Sequence, residues 1–200
     1  MIKNYVYACT ALLLMLLFFS ACQYKKITTY SPSGSLESKY KQHRKPQEKE
    51  GPYLLYFEDG KIAIHRIYKK GKLSGEELLY HPNGALQKKA MAVNGTLNGP
   101  FIYYYDNGII HQEGFYKNDR IHDTLKTYYK SGVLKEFVIF VDGDENGAIH
   151  YYYPSGKLHY TGYLFNGDNK HGAFIYYDEE GNIYKKESCL EGTCHTTFEK

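Results

Sequence analysis

The residues of this 200-residue chain best equipped for chemistry are its four cysteines and nine histidines. Cys189 and Cys194 are separated by LEGT, enough chain to turn round, so the two can face each other across a hairpin and pair in an oxidising compartment. A structural zinc takes four ligands. Two cysteines with His195 as one further candidate do not supply them, and the sequence predicts a disulfide here with no metal and no other cofactor. The histidines do not converge either. His65, His81, His111, His150 and His159 fall at different places relative to the nearest repeated glycine, and only His111 and His159 share one. Those two belong to units that strand spacing would hold about 20 Å apart, too far to share an ion.

The carboxylates Glu58/Asp59, Asp106, Asp142/Asp144/Glu145 and Asp178/Glu179/Glu180 mostly fall where a turn wants polar residues. The stretch DGDEN at 142–146 lacks the spacing and distal glutamate of an EF-hand loop. No G-x-S-x-G elbow, P-loop or dinucleotide fingerprint occurs. The sequence therefore predicts no catalytic residue and a protein that is not an enzyme.

The elements carrying these residues are announced by a repeat. Gly60, Gly84, Gly108, Gly132 and Gly156 are spaced by 24 residues, and Gly181 follows at 25 after one inserted residue near His171. Four positions before them stand Tyr56, Tyr80, Tyr104, Tyr128, Tyr152 and Tyr177; two after come Ile62, Leu86, Ile110, Leu134, Leu158 and Ile183. A second mark, at plus eleven, is Gly71, Gly95, Gly143, Gly167 and Gly192, with Asp119 the exception. Short segments rich in Tyr, Ile, Leu, Val and Phe between such marks read as strand, turn, strand. HPNG and YPSG type the turn: proline sets its first position, Asn or Ser suits the second, and glycine takes the left-handed third, as in a type I turn with a G1 bulge.

A lone hairpin is marginal in water. The units must stack, each lending an edge to the next, into a single-layer, all-β meander of six or seven antiparallel hairpins. Alternation places Leu54/Tyr56, Leu78/Tyr80, Ile102/Tyr104 and Ile175/Tyr177 on one face and Leu55, Leu79, Tyr103, Tyr151 and Tyr176 on the other. The excess of tyrosine, 23 against 10 phenylalanines, fits a thin sheet in which rings cover neighbours while hydroxyls stay wet and no second layer buries a phenylalanine completely. Tyr103, Tyr151 and Tyr176 form the candidate binding face.

The N-terminus reads as export machinery: Lys3, then the apolar run YVYACTALLLMLLFFSA. Phe19, Ser20, Ala21 and Cys22 resemble a bacterial lipobox, although Phe19 departs from the usual Leu. On that resemblance 1–21 is a lipoprotein signal peptide and Cys22 the lipid-bearing residue. The other reading is an uncleaved anchor, since about 17 apolar residues could just span a thin bilayer. Either way the remainder is expected outside the cytoplasm, in the cell envelope, facing the periplasm from the outer membrane. Without 1–21 the charge balance is near neutral, which gives no case for nucleic acid.

YSPSGSL at 30–36 repeats the turn phrase, with Tyr30 four before Gly34 and Leu36 two after it. Lys41 and Lys45 stand where later units carry an apolar residue and a glycine. Residues 22–50 are therefore expected to be a tether with a degenerate hairpin that caps the sheet edge and whose second strand frays. Six full units follow at 51–74, 75–98, 99–122, 123–146, 147–171 and 172–194, and then a tail, 195–200.

The phrase GPFIYYYDNGIIHQEGFYKNDRIHD and its companions resemble the MORN-repeat variant found in many bacterial proteins, over residues 51 to about 194. The resemblance implies a fold of stacked hairpins and points only weakly to function. Members are commonly labelled antitoxin or immunity components, and related repeats serve as scaffolds or membrane-proximal binding modules. The expected function is a lipid-anchored protein-binding or scaffold module. An immunity factor that captures a toxin and a binder of envelope glycan or lipid are the alternatives.

Overall fold

The computed structural model describes residues 23–200, so the expected signal peptide and Cys22 lie outside the described residues. The strands are β1 (Tyr24–Tyr30), β2 (Leu36–His43), β3 (Lys49–Tyr56), β4 (Ile62–Lys69), β5 (Lys72–Tyr80), β6 (Leu86–Val93), β7 (Thr96–Tyr104) and β8 (Ile110–Lys117). They continue with β9 (Arg120–Tyr128), β10 (Leu134–Val141), β11 (Asp144–Tyr152), β12 (Leu158–Phe165), β13 (Asn169–Tyr177), β14 (Ile183–Leu190) and β15 (Thr193–Glu199). All fifteen form one open sheet in chain order, each strand antiparallel to the next.

The repeated residues explain themselves in the register. At the turn of every unit the tyrosine and the aliphatic residue are direct cross-strand partners: Tyr56 with Ile62, Tyr80 with Leu86, Tyr104 with Ile110, Tyr128 with Leu134, Tyr152 with Leu158 and Tyr177 with Ile183. An aromatic facing an aliphatic side chain across a turn is a unit of sheet stabilisation. Between the pair the chain closes on its glycine. Gly84, at φ 90°, donates its N–H to the His81 carbonyl at 2.8 Å.

The opposite rim uses a different turn. Asn94 and Gly95 both have positive φ, 55° and 94°, the two-residue type I′ geometry whose twist matches that of the flanking strands. Asn118 and Asp119 make the same turn without glycine, which explains the exception at 119. The inserted residue resides in the Asn166–Gly167–Asp168 connection, between the paired Phe165 and Asn169.

Both rims are stitched between units. On the tyrosine rim, hydroxyls of Tyr105, Tyr129 and Tyr153 donate to the carbonyls of Tyr128, Tyr152 and Tyr177 at 2.8, 2.7 and 2.9 Å. On the other rim the N–H groups of Gly95, Asp119 and Gly143 reach the carbonyls of Leu73, Leu97 and Ile121 in the preceding unit. The rim tyrosines are thus structural clamps.

Three expectations are corrected. The second strand of the first hairpin does not fray: β2 pairs with both β1 and β3, and Ser38 is buried with its hydroxyl 2.7 Å from that of Thr29. Its backbone ladder is satisfied on both sides, which holds the strand in place despite the lysines on its exposed face. The tail is not a tail, because residues 193–199 pair with β14 as the outer strand. And phenylalanines are completely buried in this single layer. Phe101 and Phe174 are each 1 % exposed. Their rings lie over glycines of the neighbouring strand, Gly114 and Gly162, where a Cβ would come within 2.9 and 2.4 Å of ring carbons. Flanking side chains then close over the rings, so one sheet face carries a core made with Ala90, Leu125, Val138, Phe140, Ile149, Leu164 and Cys189.

Candidate functional site

Tyr103, Tyr151 and Tyr176 all stand on the core face, partly buried rather than free. The register brings two of them together through a residue the sequence reading missed. Tyr160 of β12 is the cross-strand partner of both Tyr151 and Tyr176. Its ring stacks on Tyr151 at 5.2 Å with 3° between planes and lies 5.7 Å from Tyr176. The three rings make one continuous aromatic band across β11, β12 and β13. Tyr103 belongs elsewhere, four strand spacings from Tyr151 or about 19 Å. It packs edge-on to Phe101 at 5.6 Å, with its hydroxyl 3.5 Å from that of Tyr116. Tyr160 was legible only as an aromatic four positions after Gly156, a place other units do not fill with tyrosine.

The band ends on charge. Tyr176 donates its hydroxyl to Glu187 Oε2 at 2.6 Å and accepts from Lys170 Nζ at 2.6 Å. Lys185 reaches Glu187 Oε1 at 2.6 Å. The hydrogen bond from Lys185, then that from Tyr176, holds the Glu187 carboxyl down at about 2. Burial pushes the Tyr160 phenol up to about 12, and burial with the Glu187 bond pushes Tyr176 up as well. The band therefore offers three rings, with the hydroxyls of Tyr160 and Tyr176 held in the protonated form. It can stack and hydrogen-bond.

A second polar group on the same face also escaped the sequence reading. Glu77 is 4 % exposed and lies between Arg66 and Lys88: Arg66 Nη2 reaches its Oε1 and Lys88 Nζ its Oε2, each at 2.6 Å. Burial alone would raise its pKa; the hydrogen bonds from Lys88 and Arg66 outweigh that and hold it below the ordinary glutamate range. Beside this triad Lys49 places its ammonium 4.0 Å from the ring of Tyr53, within reach of Tyr40 and Tyr68 too. Both groups satisfy themselves internally.

Cys189 and Cys194 are opposite residues of β14 and β15 and are joined by a disulfide. Glu187 lies close to both sulfurs, but these are bonded to each other and offer no thiolate to a metal. His111 and His159 pack on the rim tyrosines Tyr105 and Tyr153 at 4.4 and 4.3 Å, each within its own hairpin. Asp142 and Gly143 of the DGDEN stretch form a type I′ turn, φ 52° and 96°. The glycines Gly34, Gly60, Gly84, Gly108, Gly132, Gly156 and Gly181 all take positive φ at their turns.

Residues 49–70, 73–94, 97–118 and 170–188 match the family described as MORN repeat variant. Each matched segment is one hairpin: β3–β4, β5–β6, β7–β8 and β13–β14. The hairpins β1–β2, β9–β10 and β11–β12, outside those segments, repeat the same turn and pairing geometry. No curated protein matches the chain.

Proposed function

We propose that this repeat protein is a non-enzymatic binding module of the cell envelope, anchored by lipid at Cys22, that holds a protein partner against the core face of its sheet. The observation that carries the reading is the Tyr151–Tyr160–Tyr176 band: three rings in contact on one ladder, with the phenols of Tyr160 and Tyr176 pushed up by burial. Aromatic side chains held by a scaffold lose little conformational entropy on contact and dominate protein interfaces. The lipobox-like FSAC supports a position at a membrane surface facing the periplasm, and a secreted toxin would be one instance of such a partner.

The test is crosslinked affinity capture from native membranes with the wild type and the Tyr151→Ser/Tyr160→Ser variant, folding checked by circular dichroism. A partner retained by the wild type and lost by the folded variant supports the reading. Equal capture by both proteins removes this face from the account.

A further inference from the structure

Charge is unevenly distributed along the sheet. Residues 23–74 carry twelve Lys and Arg against five Asp and Glu, whereas residues 99–200 carry ten against fifteen. The near-neutral total hides a molecule that is basic at the β1 end and acidic at the β15 end. At the basic end, Lys26, Lys39 and Lys41 share the face opposite the core. Lys26 and Lys41 are direct cross-strand partners, and Lys39 stands two residues along β2. Like charges placed directly opposite destabilise a ladder. Among the described residues none of the three has a carboxylate within ion-pair distance, while Lys61, Lys88, Lys89, Lys126, Lys130, Lys170 and Lys185 do. The lysines surround a shallow trough of about 210 Å³ floored by Thr28, Pro52 and Leu54. Glu50, the partner of Lys41 on β3, accepts instead from the Lys70 main-chain N–H at 2.7 Å, so the three ammonium groups face solvent.

The acidic end carries its counterpart. Glu179 and Glu180 stand in succession in the exposed turn between β13 and β14. Lys157 Nζ is bonded to the Glu179 main-chain carbonyl, and among the described residues neither carboxylate has an ion-pair partner. Asp178 beside them is held by Asn182 and stiffens the turn. Twelve strand spacings, about 58 Å, separate this turn from β1, so the turn and the trough cannot meet within one chain. They can meet between two.

We infer that the protein self-associates head to tail, the Glu179–Glu180 turn of one copy seated in the Lys26/Lys39/Lys41 trough of the next. The contact is heterologous and leaves a free trough at one end and a free turn at the other, so it builds chains rather than closed dimers. It uses the face opposite the tyrosine band and stands whether or not a different protein binds that band. A line of anchored copies would present the bands side by side.

The test is sedimentation velocity of the full-length protein in detergent, with two variants: Lys26→Glu/Lys39→Glu/Lys41→Glu and Glu179→Lys/Glu180→Lys. All five positions are exposed, so neither variant disturbs the core. The wild type is expected to form multimers at low salt that dissociate near 1 M salt, where screening shortens to about 3 Å. Each variant alone is expected to be monomeric, and an equimolar mixture to associate again, since the acidic turn of one variant meets the intact lysine trough of the other. A monomeric wild type, or a mixture that stays monomeric, overturns the inference. So does lysine-dependent binding to phosphatidylglycerol vesicles without self-association, which would make the trough a membrane contact.

Discussion

The ring of Phe174 stands in the space a side chain on Gly162 would fill: a Cβ there would lie 2.4 Å from the ring. This is how one layer of sheet buries a large aromatic, by leaving the neighbouring strand bare. Gly162→Ala is expected to cost about 1–3 kcal/mol by overpacking, read from urea denaturation. Phe174→Leu in the Gly162→Ala background should cost less than the sum of the two single changes, because the smaller side chain removes the clash. Additive effects would show that ring and glycine are not coupled.

The rim tyrosines predict a uniform series. Tyr105→Phe, Tyr129→Phe and Tyr153→Phe each delete one hydroxyl bond to the next unit, worth about 0.5–1.5 kcal/mol, and leave the ring in place. Neighbouring units couple only through their shared interface. Hydrogen exchange should therefore speed up at the two hairpins joined by the deleted bond and not at distant ones.

Glu77 is the most exposed to a single substitution. Glu77→Gln leaves Arg66 and the buried Lys88 without their shared counter-charge, and a loss of about 3–5 kcal/mol is expected. Combining it with Lys88→Met should restore part of that stability. A loss below about 1 kcal/mol would mean that water reaches the triad.

Much of the fold was readable because the repeat needs fixed backbone conformations: a glycine at each left-handed turn position, and a tyrosine and an aliphatic residue across it. Burial was not readable. Phe101 and Phe174 are covered because Gly114 and Gly162 are bare, a relation between strands that no position within one unit displays. Tyr160 and Glu77 were missed for the same reason, since each owes its role to residues on the strands either side. The tyrosines singled out for binding split because strand count, not repeat position, sets their separation. The N-terminal and C-terminal strands looked like tether and tail because composition does not reveal a ladder partner.

Acid should weaken the band's anchor in a defined window. The Glu187 carboxyl sits at about 2 in the fold, against about 4.3 in an unfolded chain. A depressed carboxyl contributes stability that is fully present above its unfolded value and is lost as pH falls toward its folded one. Wild-type urea midpoints should therefore fall between about pH 4 and pH 2 more steeply than those of Glu187→Gln. Parallel curves would place the acid sensitivity elsewhere.

On the proposed function a partner rests on the tyrosine band and not merely somewhere on the protein. The most direct measurement replaces Tyr151 and, separately, Ile175 on the opposite face with a photo-crosslinking phenylalanine and irradiates intact cells. Adducts from position 151, absent from position 175 and removed by Tyr160→Ser, are the predicted result. Adducts from 175 with none from 151 would contradict the account.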